Sequence, residues 1–140
     1  MRSEVRELLI RARAIQAEHG NCQYSMYDKG SHHRTDRRSD GPGSVCARGA
    51  IYAGRFGYEV LRQSVTYGSP CRALSEYMKD PLCMEAERAL GFDPEGSLAQ
   101  WNNRPETTLT DVLNLFDTAL AKDVKVEVES DDRERELVAA

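Results

Sequence analysis

The sequence has 140 residues, of which 40% are apolar and 30% charged, and this fits one globular domain rather than a fibre or a membrane protein. The net charge of −4 argues against a protein that covers duplex nucleic acid with its whole surface, because such proteins are basic. No stretch has the length and apolarity of a membrane span or of a secretory signal, so we expect a cytoplasmic protein without a membrane partner.

The first predicted element is an amphipathic helix over residues 3–18, with Ser3 as its N-cap. Residues 22–27 alternate loosely between apolar and polar, and they predict a short strand or an extended arm. Residues 28–43 form a long polar loop, and loops of this length usually carry function or move.

A second helix is predicted to start at Ser44, and small residues recur along it at helical spacing. These small residues are Cys46, Gly49, Ala50, Ala53 and Gly54. Such a surface lets another backbone approach closely, which offsets the low helix propensity of glycine. Residues 58–67 are compatible with either helix or strand.

Two serine- or aspartate-proline pairs mark helix starts in the next part of the chain. Ser69-Pro70 and Asp80-Pro81 predict short helices over 70–79 and 81–90, because proline is favoured at the first helical position. Ser97 is predicted to cap a further turn.

The clearest helix covers 109–122, and it opens at Thr108. Val112 and Phe116 lie in its broad apolar stripe, so we expect them to be buried and this helix to pack against the first one. The predicted fold is a mainly α, single-domain helical bundle with a long irregular loop and room for one short strand or hairpin.

The last residues differ in charge from the first. Residues 1–48 carry nine basic and six acidic side chains, whereas residues 123–140 carry three basic and seven acidic ones. Val124, Val126 and Val128 alternate with charged residues, but a single strand needs a neighbour to be stable. We interpret 1–122 as the helical domain and 123–140 as a flexible acidic tail.

Four cysteines without a secretory signal favour reduced thiols. His19, Cys22, His32 and Cys46 are candidate zinc ligands within one third of the chain, but no C-x-x-C pair is present. We therefore expect no metal and no other cofactor.

Cys46 has two interpretations. Near a helix start, the helix dipole lowers the pKa of a thiol, and a nucleophile there would need a base such as His19. A small buried thiol where helices cross explains the same position equally well, and we favour it.

The candidate binding surface is a basic cluster in the polar loop, extended by one arginine further along. Its residues are His32, His33, Arg34, Arg37, Arg38 and Arg48. An acidic protein surface or a short stretch of phosphate backbone would complement them. The alternative is a solvated loop that binds nothing.

Trp101 and Asn102 are interpreted as structural residues. The indole ring is predicted to pack on the core, and the Asn102 amide to cap the helix that follows. A Trp101 exposed at the surface would instead anchor an interface.

The segment Trp101-Asn102-Asn103, followed by Thr107-Thr108 and by the helix over 111–119, resembles a family of small uncharacterised proteins of actinobacteria and their phages. The stretch over 46–50 is similar to the Cys-Ala-x-Gly-Ala segment of that family, whereas residues 55–80 match little. Asn103 stands where the family has Asp. The resemblance implies a phage-like origin, and the family has no assigned activity to transfer.

The sequence favours a non-enzymatic accessory protein, phage-encoded, that binds a host or phage macromolecule, with a protein partner preferred over nucleic acid. One alternative is a cysteine-dependent hydrolase or transferase that uses Cys46. A second alternative is a nucleic-acid-binding module that uses the basic 32–48 region.

Overall fold

A computed structural model describes residues 1–30, 38–93 and 95–122 of the chain. Within these ranges it has seven helices and no sheet. They are α1 (Ser3–His19), α2 (Ala47–Phe56), α3 (Tyr58–Tyr67), α4 (Pro70–Lys79), α5 (Pro81–Ala89), α6 (Ser97–Asn102) and α7 (109–122). The predicted mainly helical fold is confirmed. The interpretation of 123–140 as a tail falls outside the described residues.

The segment between α1 and α2 forms isolated bridges instead of the predicted strand. Val45 pairs with Asn21 in parallel and with Tyr27 in antiparallel direction, and Cys22 pairs with Ser39. These bridges fold the segment back on itself beside the start of α2.

Close backbone approach explains the glycines of α2. A Cβ atom added to Gly49 would lie 1.9 Å from the carbonyl oxygen of Met26, and one added to Gly54 would lie 3.1 Å from Leu8 Cδ1 and 3.2 Å from the Ala12 nitrogen. The prediction that small residues allow another backbone to approach is confirmed, and α1 packs extensively against α2.

The helix boundaries follow local capping chemistry. Pro70 and Pro81 occupy the first turns of α4 and α5, as predicted, and the Asp80 carboxylate accepts a hydrogen bond from the Cys83 N–H at 3.0 Å. Thr108 and Asp111 cap α7 reciprocally.

Three predicted N-caps are wrong by one or two residues. Ser97 is the first residue of α6, whose N-cap is Gly96. Helix α1 includes Ser3 and has Arg2 as its N-cap. Helix α2 begins after Cys46 rather than after Ser44, because the Cys46 sulfur accepts from the Gly49 N–H at 3.4 Å. The ambiguous residues 58–67 form α3, which begins after Gly57 at φ +112°.

The hydrophobic core runs through most of the helices. Val112 and Phe116 of α7 are completely buried, and α7 is joined to α1 by an ion pair in which Arg13 Nε lies 3.1 Å from Asp117 Oδ1. Among the described helices, none is long and apolar enough to cross a membrane.

Candidate functional site

A buried glutamine fixes the irregular segment before α2 to the region around α6. Gln23 Nε2 donates to the carbonyl oxygens of Asn102 at 3.1 Å and Arg104 at 2.6 Å. Gln23 Oε1 accepts from the Arg38 N–H at 3.0 Å. Because both ends of this buried amide are satisfied, the segment has a defined position on the helices.

The Asn102 side chain joins three distant parts of the chain. Its Oδ1 accepts from the Ala47 N–H at 2.9 Å, which caps the start of α2, and its Nδ2 donates to the Cys22 carbonyl at 3.0 Å. The sequence assigned this amide to the helix that follows it, and that assignment is wrong, because Thr108 and Asp111 already cap α7.

Tyr24 has a strained backbone next to this junction. Its φ of +66° is the only positive value at a non-glycine residue among those described. Such a conformation costs on the order of 1–3 kcal/mol and persists only where the surroundings impose it. Here the Tyr24 N–H donates to Asn103 Oδ1 at 2.8 Å, and the side chain remains 50% exposed.

A pocket of about 280 Å³, which we call the α2–α4 pocket, opens beside Tyr24. Its walls come from the 24–26 segment, the start of α2, the α3–α4 junction and the end of α6. The lining residues are Tyr24, Ser25, Met26, Cys46, Arg48, Val65, Pro70, Cys71, Leu74, Ala99, Asn102 and Asn103. None of these residues is acidic, and most of the lining is apolar.

Arg48 lies in the pocket wall, but its charge is committed to a buried network. Arg48 Nε donates to Glu87 Oε1 at 2.5 Å and Nη2 to Oε2 at 3.3 Å, while the Tyr77 hydroxyl donates to Glu87 Oε1 at 2.7 Å. Burial and the neighbouring carboxylate raise the pKa of Tyr77 and keep its hydroxyl protonated. The prediction that Arg48 extends an exposed basic surface is wrong, because its partner on α5 holds it in the interior.

Cys46 also faces this pocket, and its thiol is protected. The residue is only 8% exposed, and burial raises the pKa of its thiol, whereas the interpretation of Cys46 as a nucleophile requires the helix start to lower this pKa. His19 does not line the pocket. Its ring stacks on Tyr58 with centroids 3.8 Å apart, so Cys46 and His19 do not share this site.

The candidate metal ligands are not assembled in the described part of the chain. Cys22 is buried and its thiol donates to the carbonyl oxygens of Ser25 and Ser44. Across residues 1–30, 38–93 and 95–122, no group of three or more His, Cys, Asp or Glu side chains is placed to hold a metal ion. His32 falls outside these ranges.

The basic cluster is described only in part. His32, His33, Arg34 and Arg37 lie outside the described residues, and Arg38 is exposed beside Gln23. Asp28 joins the two described ends of the loop, because its carboxylate accepts from the Gly30 N–H at 2.7 Å and from the Ser39 hydroxyl.

Trp101 is half-buried, and its ring lies against Phe92 with centroids 5.8 Å apart.

Helix α4 has a second apolar face that was not predicted from the sequence. Ala73 and Tyr77 face the core, whereas Cys71, Leu74 and Met78 are exposed at helical spacing next to the pocket. The spacing of these three residues was the available signal.

Comparison with known proteins places the chain in a wider family. The model of a family of unknown function (DUF6197) matches residues 1–122. No curated protein and no solved structure matches the chain.

Proposed function

We propose that this chain, which belongs to that family of unknown function, is a non-enzymatic accessory protein that binds a partner protein through the α2–α4 pocket. The partner offers a large apolar side chain with an acidic residue beside it. One observation carries the proposal: a mostly apolar pocket opens between Tyr24 and the exposed apolar face of α4.

The size of the pocket suits one or two protein side chains. Its volume of about 280 Å³ lies at the lower end of the range of roughly 300–1,000 Å³ that is typical of ligand sites. Protein interfaces obtain much of their binding energy from one or two anchor side chains in pockets of limited size.

The rim has the composition of an interface. Leu74 and Met78 on α4 are 38% and 39% exposed, and Tyr67, three residues before Pro70, is 79% exposed. Tyrosine and methionine are enriched in interface cores, and the unbranched Met side chain adapts to the shape of a partner.

Positive charge beside Gln23, the residue before Tyr24 in the pocket wall, favours an acidic residue in the partner. Arg38 and Arg104 are exposed on either side of Gln23, and neither forms an ion pair with a residue that the structure describes. An acidic group beside the anchor would complement them, and binding would weaken as salt rises.

The two alternatives have less support. A cysteine-dependent enzyme needs a thiol of low pKa next to a base, whereas the pKa of Cys46 is raised and none of the described residues that line the pocket is a histidine. A nucleic-acid-binding module would use the positive charge of Arg48 to bind phosphate, but this charge is paired with Glu87 in the interior. The proposal that the protein is phage-encoded and acts in the host cytoplasm rests on the family resemblance around Trp101 and Cys46.

The test is affinity capture of the full chain from an actinobacterial lysate, infected and uninfected, with identification by mass spectrometry. Leu74→Glu places a charge on the pocket rim, and Ile10→Glu is the matched control, since Ile10 is exposed on α1 and does not line the pocket. We expect a protein that wild type and Ile10→Glu retain and that Leu74→Glu loses, with unchanged circular dichroism. Capture that Leu74→Glu leaves intact overturns the proposal.

A second arm tests the charge argument. Arg38→Ala combined with Arg104→Ala should weaken capture of the same protein and reduce its salt dependence. If the double variant binds as wild type does at low and moderate salt, the proposal that the partner offers an acidic residue is wrong.

A further inference from the structure

A second pocket lies between the start of α1, α5 and the end of α7. It has a volume of about 440 Å³ and we call it the basic pocket. Its apolar lining is Met1, Val5, Ala89 and Ala119, its basic lining is Arg2, Arg88 and Lys122, and Glu85 is the acidic residue in its wall.

The charges of the basic pocket are only partly neutralised. Arg2 forms two hydrogen bonds of 2.9 Å with the carboxylate of Glu85. Arg88 and Lys122 are exposed, and neither forms an ion pair within the described residues. An apolar floor thus lies next to two uncompensated positive charges.

We propose that the occupant of the basic pocket is the acidic segment 123–140 of the same chain. This segment follows directly on Lys122, which lines the pocket, and it carries seven acidic and three basic side chains. Its charge is therefore opposite to that of Arg88 and Lys122.

The residue pattern of the segment matches the pocket as well as its charge does. In an extended chain, alternate residues share one face, so Val124, Val126 and Val128 face one way, and Lys125, Glu127 and Glu129 the other. The valines fit the apolar floor, and the net negative charge of the segment complements the basic rim. The pocket supplies the apolar neighbour that an isolated strand of this composition lacks.

Reach and concentration also favour this occupant. Six extended residues span about 20 Å, which exceeds what a segment starting at the pocket edge needs. Because the segment is attached, its effective concentration is of the order of millimolar, and even a weak docking contact is populated. A separate acidic ligand would have to displace it.

Limited trypsin digestion of the full chain tests the proposal through the bond after Lys125. Docking protects this bond, so Arg88→Glu should speed its cleavage about tenfold, the change that follows from losing about 1.4 kcal/mol of docking free energy. Raising the salt concentration should bring wild type toward the rate of the variant. Arg72→Glu is the control, because it makes the same charge change on an exposed residue of α4 and should leave the rate unchanged.

A second measurement guards against a local fold defect in Arg88→Glu. In the full chain, Val124→Ser combined with Val128→Ser should shift the amide resonances of Val5, Ala89 and Ala119 without altering those of α4. Equal cleavage rates in wild type and Arg88→Glu, or unchanged resonances in the double valine variant, overturn the proposal.

Discussion

Arg48 on α2 and Glu87 on α5 form an ion pair whose closest atoms, Nε and Oε1, lie 2.5 Å apart while the two side chains are 6% and 0% exposed. The Tyr77 hydroxyl donates to the same carboxylate. The three side chains satisfy one another in the interior, so the loss of one member leaves the others buried without their partner.

Removing the carboxylate alone should be strongly destabilising. We expect Glu87→Ala to lower the free energy of unfolding by about 3–5 kcal/mol, because the Arg48 charge stays buried without its partner. Urea denaturation followed by circular dichroism measures this. The double variant Arg48→Met with Glu87→Leu should recover most of the loss. Glu59→Ala is the comparison, because Glu59 forms an exposed ion pair with Arg62. If Glu87→Ala lowers the free energy of unfolding no more than Glu59→Ala does, the buried Arg48–Glu87 pair does not stabilise the fold.

A methyl group at Gly49 should be poorly tolerated. A Cβ atom there would overlap the Met26 carbonyl oxygen, which belongs to the backbone and moves only if the 24–26 segment moves. Overpacking of this kind costs about 1–3 kcal/mol or more, and this exceeds the gain of about 1 kcal/mol in helix propensity. Thermal unfolding of Gly49→Ala and Gly54→Ala compares the two sites. The first variant should be the less stable, and the reverse order would contradict the packing described.

Truncation of Phe116 should reveal the importance of α7 for the core. The side chain is completely buried, so Phe116→Ala is expected to lower the free energy of unfolding by about 3–5 kcal/mol. Leu115→Ala, at the half-buried neighbouring position, should cost less. A loss below about 1 kcal/mol for Phe116→Ala in chemical denaturation would show that the helix faces a partner or solvent.

Thiol reactivity should distinguish Cys71 from the other cysteines. Cys71 is exposed, whereas Cys22, Cys46 and Cys83 are buried. Burial raises the pKa of Cys46 and of Cys83, so few thiolates form there at neutral pH. Iodoacetamide labelling with peptide mapping should modify Cys71 first. Fast, selective labelling of Cys46 would revive the enzyme hypothesis.

Tyr58 should contribute to loss of stability at alkaline pH. Burial raises its pKa to about 12, and its hydroxyl donates to the Gly43 carbonyl at 2.8 Å. Since the unfolded chain releases this proton near pH 10, the contribution of Tyr58 is complete below pH 10 and is lost as pH rises toward 12. Urea midpoints between pH 9 and 12 should fall less steeply for Tyr58→Phe than for wild type. The exposed Tyr67, changed to Phe, should leave the slope unaltered.

Features fixed by neighbouring residues were predictable from the sequence. The starts of α4 and α5 depend on Pro70 and Pro81, and the buried face of α7 depends on the spacing of Val112 and Phe116. The glycines of α2 predicted close packing without showing which backbone approaches them.

Features that depend on distant residues were not predictable in the same way. The Arg48 side chain is buried because Glu87, 39 positions later, faces it, and nothing near Arg48 in the sequence indicates this partner. The pocket itself combines four separate parts of the chain. Only the apolar spacing of Leu74 and Met78 signalled it locally.

The hydrogen bonds of Asn102 can form only after α1 and α2 have been synthesised. Its amide bonds to Ala47 and Cys22, which precede it by 55 and 80 positions, and contacts between such distant residues form later than the local bonds of a helix. A ribosome delivers the chain from its amino-terminus, so α1 and α2 emerge before the group that caps α2 has been made. During synthesis the Ala47 N–H at the start of α2 therefore lacks its Asn102 partner until α6 has been made.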